Sequence, residues 1–138
     1  MVVAAFSLTK INVERKKVVE GKVNVNSDTV LRDVVERSVN LGKTKQSGLD
    51  FVFTFTAQYL NEAKAVLASI VLEGEVLYLE EPNKIKMLLD GWKKNKTVEK
   101  EVLKQVMNTV LSKCTVEGIL LSKEISLPPP INLPIVQG

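Results

Sequence analysis

Histidine is absent from this sequence, and cysteine occurs once, as Cys114. Without histidine there are no His-based triads, no Cys–His dyads, no haem held by an imidazole and no histidine pH switch. One thiol excludes an intramolecular disulfide and a zinc cage of cysteine and histidine. Composition thus argues against most hydrolytic enzymes. The seven glycines are scattered and form neither GxGxxG nor a Walker loop, so no phosphate cradle is expected. Aromatics are few, at 5%, with a single tryptophan, Trp92. No long hydrophobic run occurs either: the greasiest stretch, Ala65 to Leu79, is too short for a membrane span and carries Glu73 and Glu75. The opening residues, Met1 to Phe6, lack the basic and long apolar regions of a signal peptide. A lone reduced thiol without a targeting signal points to the cytoplasm.

What is there fits one globular domain over residues 1–138. Apolar residues make up 45% of the chain and charged residues 25%, which suits a folded soluble protein rather than a disordered one. A chain of this length buries roughly 70% of its unfolded surface, enough for a core without staples. Nineteen Lys and Arg against sixteen Asp and Glu leave a net charge of +3. That excess permits contact with nucleic acid or acidic surfaces without demanding it.

The first half reads as strands and the second as helices, which favours an α+β fold over alternating βαβ units. Phe6 and Leu8, then Ile11 and Val13, alternate with polar residues, but the phase flips at Lys10, as a bulge or kink requires. Lys22 to Asn26 alternates cleanly as a short strand. Between Thr29 and Val39 a helical stripe competes with the β-branched preference for strand. Gly42 to Gly48 reads as a loop. Leu49 to Tyr59 is the clearest strand, with Phe51, Phe53, Phe55, Ala57 and Tyr59 on one face. Asn61-Glu62 marks a turn into a second long strand, Ala65 to Leu79, interrupted at Gly74. That strand is apolar on both faces, so it needs cover from its own helices on one side and a second subunit on the other. Pro82 opens a helix whose buried stripe is Ile85, Leu88, Leu89 and Trp92. Lys93 to Lys96 forms a connector, and Thr97 caps a second, longer helix with Val98, Val102, Val106, Val110 and Cys114 near one face. The prolines at 128, 129, 130 and 134 make the tail an extended, polyproline-like strap.

Three features carry candidate chemistry. Glu73 and Glu75, at strand spacing on one face, could work as an acid–base pair or hold a hard metal, but solvated residues beside a strand bend fit them better. Cys114, on an apolar helix face with no histidine to activate it, reads as core. The lysines at 84, 86, 93, 94, 96, 100 and 104 could follow a phosphate backbone or form a solvated helical face; only Trp92 lies among them as a stacking partner. No metal site and no cofactor is expected.

Taken in order, these elements resemble the bacterial SecB export-chaperone family and its archaeal SecB-like relatives. Phe6 to Glu14 looks like the family's first strand, with its aromatic start and phase change. Leu49 to Tyr78 looks like its central hairpin. Pro129-Pro-Ile-Asn-Leu-Pro-Ile-Val136 resembles the family's closing Pro-x-Leu-Asn-Leu-x-Pro-Val segment. The resemblance implies a four-stranded antiparallel sheet followed by a short and a long helix, a homo-oligomer (dimer or tetramer), and no enzymatic activity. It implies passive, ATP-independent holding of non-native polypeptides, with Trp92 and the aromatic face of Phe51, Phe53, Phe55 and Tyr59 as binding residues. The chain departs from the family in its net positive charge, which speaks against docking to the SecA motor. It also has Lys96-Thr-Val-Glu99 where the family's long helix opens with Pro-Tyr-Ala-Arg. The alternative from another class is a basic nucleic-acid-binding module using the lysine stripe.

Overall fold

A computed structural model describes residues 2–17 and 22–127. Four strands come first: β1 (Val2–Arg15), β2 (Asn24–Leu41), β3 (Thr44–Leu60) and β4 (Val66–Leu79). The helices α1 (Pro82–Asn95) and α2 (Lys100–Glu124) follow. The strands form one antiparallel sheet in the order β1-β4-β3-β2, and both helices pack on the same face of it. The fold is α+β, as the sequence implies. The expected proline strap falls on residues 128–138, outside the described residues.

The face that the helices cover is set by strand periodicity. On β3 the odd positions Leu49, Phe51, Phe53, Phe55, Ala57 and Tyr59 point into the core, and on β4 the even positions Ala68, Ile70, Leu72, Val76 and Tyr78 join them. Ile85, Leu88 and Trp92 of α1, and Val102, Val106, Val110 and Cys114 of α2, close over that layer. Each fully buried large side chain here contributes roughly 1.5–3 kcal/mol. Two ring contacts lock the sheet: Phe6 stacks on Phe53 at 5.5 Å, and Phe51 meets Tyr78 edge-on at 6.2 Å.

Several local expectations are corrected. Gly74 does not interrupt β4, which runs unbroken to Leu79. Its role is toward the neighbouring strand: a Cβ there would lie 2.3 Å from the backbone oxygen of Ser7. The phase flip read near Lys10 is a register shift between Leu8 and Lys10 on β1, opposite that glycine. Gly42 to Gly48 is not a loop. The chain reverses at Gly42-Lys43, and β3 begins at Thr44. Gly42 has a φ of 66°, the sign that a tight hairpin turn needs at its first central position. The polar residues that suggested a loop sit on a hairpin arm reaching past β4, whose pairing with β3 starts at Gly48. The ambiguous segment from Thr29 to Val39 is strand, all of it within β2.

Thr97 is not the cap of α2 either. The helix starts at Lys100, and the Thr97 hydroxyl donates instead to the Gly91 carbonyl at 3.4 Å, on the last turn of α1. Lys96 takes the left-handed conformation there (φ 55°), and its N–H donates to the Trp92 carbonyl. Gly91, Trp92 and the run Lys93 to Asn95 therefore remain inside α1, and the connector expected at Lys93 to Lys96 lies instead at residues 96–99.

Candidate functional site

The tight end of α1 builds a groove. Because Lys96 turns back in the left-handed conformation, residues 97–99 swing across to the start of α2, leaving a cleft between that connector and strand β2. The cleft holds about 620 Å³ and is lined by Leu31, Arg32, Trp92, Lys96, Thr97, Val98 and Leu103. Its walls are apolar: Leu31 from the strand, Val98 and Leu103 from the helix side. Trp92 forms one end, only 7% exposed, with its ring packed into the core.

Trp92 is held in place at two points. Its indole N–H donates to Asp33 Oδ1 at 3.2 Å, and that oxygen also accepts the Val34 N–H at 2.8 Å. Lys96 Nζ stands 5.0 Å from the centre of the indole ring, in a cation–π contact. On the other face of the sheet, Arg32 Nε donates to Thr54 Oγ1 at 3.1 Å, so the Arg32 guanidinium turns away from the helices. Arg32 lies at a bulge, where the β2–β3 register shifts between Leu31 and Asp33. The bulge lets Leu31 and Val34 both face the helices. One side of this groove is an edge strand: β2 pairs with β3 alone, so its outer backbone groups have no strand partner among the described residues.

Of the five residues expected to bind polypeptide, only Trp92 reaches this groove. Phe51, Phe53 and Tyr59 have no exposed surface and Phe55 has 3%, all beneath the helices. Their alternation marks the core of the protomer, so in this conformation they offer no wall to a ligand. Sequence reasoning missed Leu31, Arg32 and Asp33. A signal existed: the inward apolar positions run Val25 and Leu31, then Val34, a phase break of the kind that exposes the β1 bulge.

The other candidates fall elsewhere. Glu73 and Glu75 share the sheet face turned away from the helices, opposite Thr54 and Val52 of β3. Among the described residues no three metal-ligating side chains gather, and no helix is long and apolar enough to cross a membrane. Cys114 is buried, and burial, with the Glu117 charge adding to it, pushes its thiol up to about 12, so it is no nucleophile. Of the lysine stripe, Lys84 is tied to Glu99, and that hydrogen bond holds its pKa above the usual range. Lys86, Lys93, Lys94, Lys96, Lys100 and Lys104 are exposed.

No family model matches the sequence, and no curated protein is similar to it in sequence. Its fold does have a solved counterpart. A SecB-like chaperone of Mycobacterium tuberculosis, in complex with a ChAD peptide from the HigA1 antitoxin, superposes with a TM-score of 0.55 at 11% identity. The match covers 99% of this chain and 91% of that one. This likeness shows a SecB-like fold.

Proposed function

We propose that the protein holds extended, non-native polypeptide segments passively, as a SecB-like holdase, and that the groove beside Trp92 receives them. The observation that carries this reading is the groove itself. It is an open cleft with apolar walls and an anchored aromatic, bounded by an edge strand whose outer backbone groups have no strand partner among the described residues, the two components by which extended peptides are recognised. The peptide seated on the chaperone of like fold supports it. With no nucleotide loop in the sequence, release follows from competition rather than ATP hydrolysis.

The test is suppression of aggregation of an unfolding client, without ATP, at several-fold excess of the protein. Trp92→Ala is a poor probe, because Trp92 is a core member whose truncation typically costs about 3–5 kcal/mol of stability. Val98→Asp is better: Val98 lines the groove outside both helices and is only half-buried against the core, so the charge enters the groove wall at a smaller cost in stability than Trp92→Ala. The expected result is suppression by the wild-type protein and its loss in Val98→Asp at a temperature where the variant is still folded. No suppression, together with steeply salt-dependent binding of an oligonucleotide, moves the reading to a nucleic-acid module.

A further inference from the structure

We infer, resting on the reading of the groove as a polypeptide site, that one of its walls is a gate latched by the ion pair of Lys84 and Glu99. That wall is the connector between the helices. Lys96, Thr97 and Val98 line the cleft, and Leu103 follows on the first turn of α2. How this stretch is held decides how wide the cleft stands.

Its ties among the described residues are few and uneven. The Lys96 N–H donates to the Trp92 carbonyl at 2.9 Å and closes α1. Past that point the Thr97 N–H and hydroxyl both reach the Gly91 carbonyl, each at 3.4 Å, the outer limit of a hydrogen bond. Val98 is only half-buried. The remaining tie is Glu99, whose carboxylate meets Lys84 Nζ on the first turn of α1. Glu99 is also where α2 begins, since its carbonyl accepts the Leu103 N–H at 2.9 Å. The pair therefore fastens the start of one helix to the start of the other.

The spans make this connector taut. Lys84 and Lys96 are separated by about 18 Å along the axis of α1. The three residues from Lys96 to Glu99 cover at most about 10 Å. The pair closes only because the connector doubles back along α1 and the two long side chains bridge the rest. Lys96 is the hinge, held in the left-handed conformation (φ 55°), which a residue with a side chain adopts at a cost. Loss of the pair gives the connector slack, and that slack widens the cleft.

Amide exchange and peptide binding test the gate on the full-length protein, with Lys84→Gln, Glu99→Gln and the double variant. An exposed ion pair biases a local opening by about two- to fivefold and leaves the melting temperature nearly unchanged. The Thr97 and Leu103 amides exchange about threefold faster in either single variant and no faster in the double one, as a shared interaction requires. The Leu88 and Trp92 amides, inside α1, keep their wild-type rates. A short apolar peptide without tryptophan is followed by stopped-flow fluorescence of Trp92, the single tryptophan. It associates about threefold faster with each variant, in proportion to the open fraction. Added salt speeds the wild type toward that rate and leaves the double variant unmoved. Wild-type exchange rates in all three variants overturn the latch. Faster exchange with unchanged association overturns the gate, because the wall then moves without controlling entry. A peptide that binds none of the four proteins overturns the polypeptide reading beneath, and the exchange rates still decide whether the pair holds the wall.

Discussion

At the scale of single residues, the most constrained position is Gly74. A methyl group there meets the Ser7 carbonyl oxygen at 2.3 Å and the Leu8 Cα at 3.1 Å, and both belong to backbone that the sheet holds in place. Gly74→Ala therefore displaces β1 from β4, at a cost of about 1–3 kcal/mol of overpacking. A lowered denaturant midpoint checks this; an unchanged one means that the bulge on β1 relaxes freely. A second residue-scale expectation concerns alkali. Burial pushes Cys114 up from 9.0, and Tyr59 and Tyr78 up from 10.0, each to about 12; for Tyr78 the Glu80 carboxylate that accepts its O–H adds to the rise. Folded-state pKa values above the unfolded ones mean that the folded protein holds these protons more tightly. The stability they contribute is complete below pH 9 and is lost as pH rises toward 12. Melting temperature should fall across that window, and Cys114→Val should flatten its first part near pH 9 to 10.

At the scale of elements, bulges decide where side chains go. The shift at Leu8 and Lys10 on β1, and the one at Leu31 and Asp33 on β2, each let apolar residues of opposite parity face the same core. The first was legible from the phase of the hydrophobic pattern. The second was hidden inside a segment whose helical and strand signals competed, and it is the one that places Leu31 at the groove. The β2–β3 hairpin shows the reverse failure. Its distal residues read as loop because they are polar, yet the pairing runs out to Leu41 and Thr44. Beyond Gly48 no third strand among the described residues pairs with the arm, although Glu80, just past β4, bonds Ser47 and the Gln46 side chain. Its amides, from Ser38 to Ser47, should exchange with solvent much faster than those of Phe51 to Tyr59. Equal protection of the two stretches would show that another surface covers the arm.

At the scale of the whole molecule, the helices cover only one side of the sheet. Val52 and Val71, on the other side, are half-buried, and Leu111, Val116 and Leu120 are exposed on α2. Scattered apolar residues are ordinary on a surface, but this number on one helix and one sheet face favours self-association. A homo-oligomer is the expected outcome, with sedimentation giving a multiple of 15.3 kDa. A clean monomer at micromolar concentration would refute it. The same experiment on Leu120→Lys distinguishes the surfaces: dissociation points to α2, whereas an intact assembly points to the sheet.

The sequence by itself determined the architecture. Alternation from Leu49 to Tyr59 defines a strand with one buried face, Pro82 defines where the helical half begins, and the spacing of Ile85, Leu88 and Trp92 defines which side of α1 is buried. These signals are local, written in periods of two and of three to four residues. Local patterns also report burial without reporting what does the burying, which is why the aromatic row from Phe51 to Tyr59 read equally well as a binding wall and as a core. Only the tertiary structure decided between them, by laying α1 and α2 across that face. It decided the groove as well, because Leu31 and Asp33 meet Trp92 and Lys96 from about sixty positions away. No periodicity within either segment encodes that meeting. It depends on how the β2 bulge and the left-handed turn at Lys96 direct two separate stretches of chain to one place.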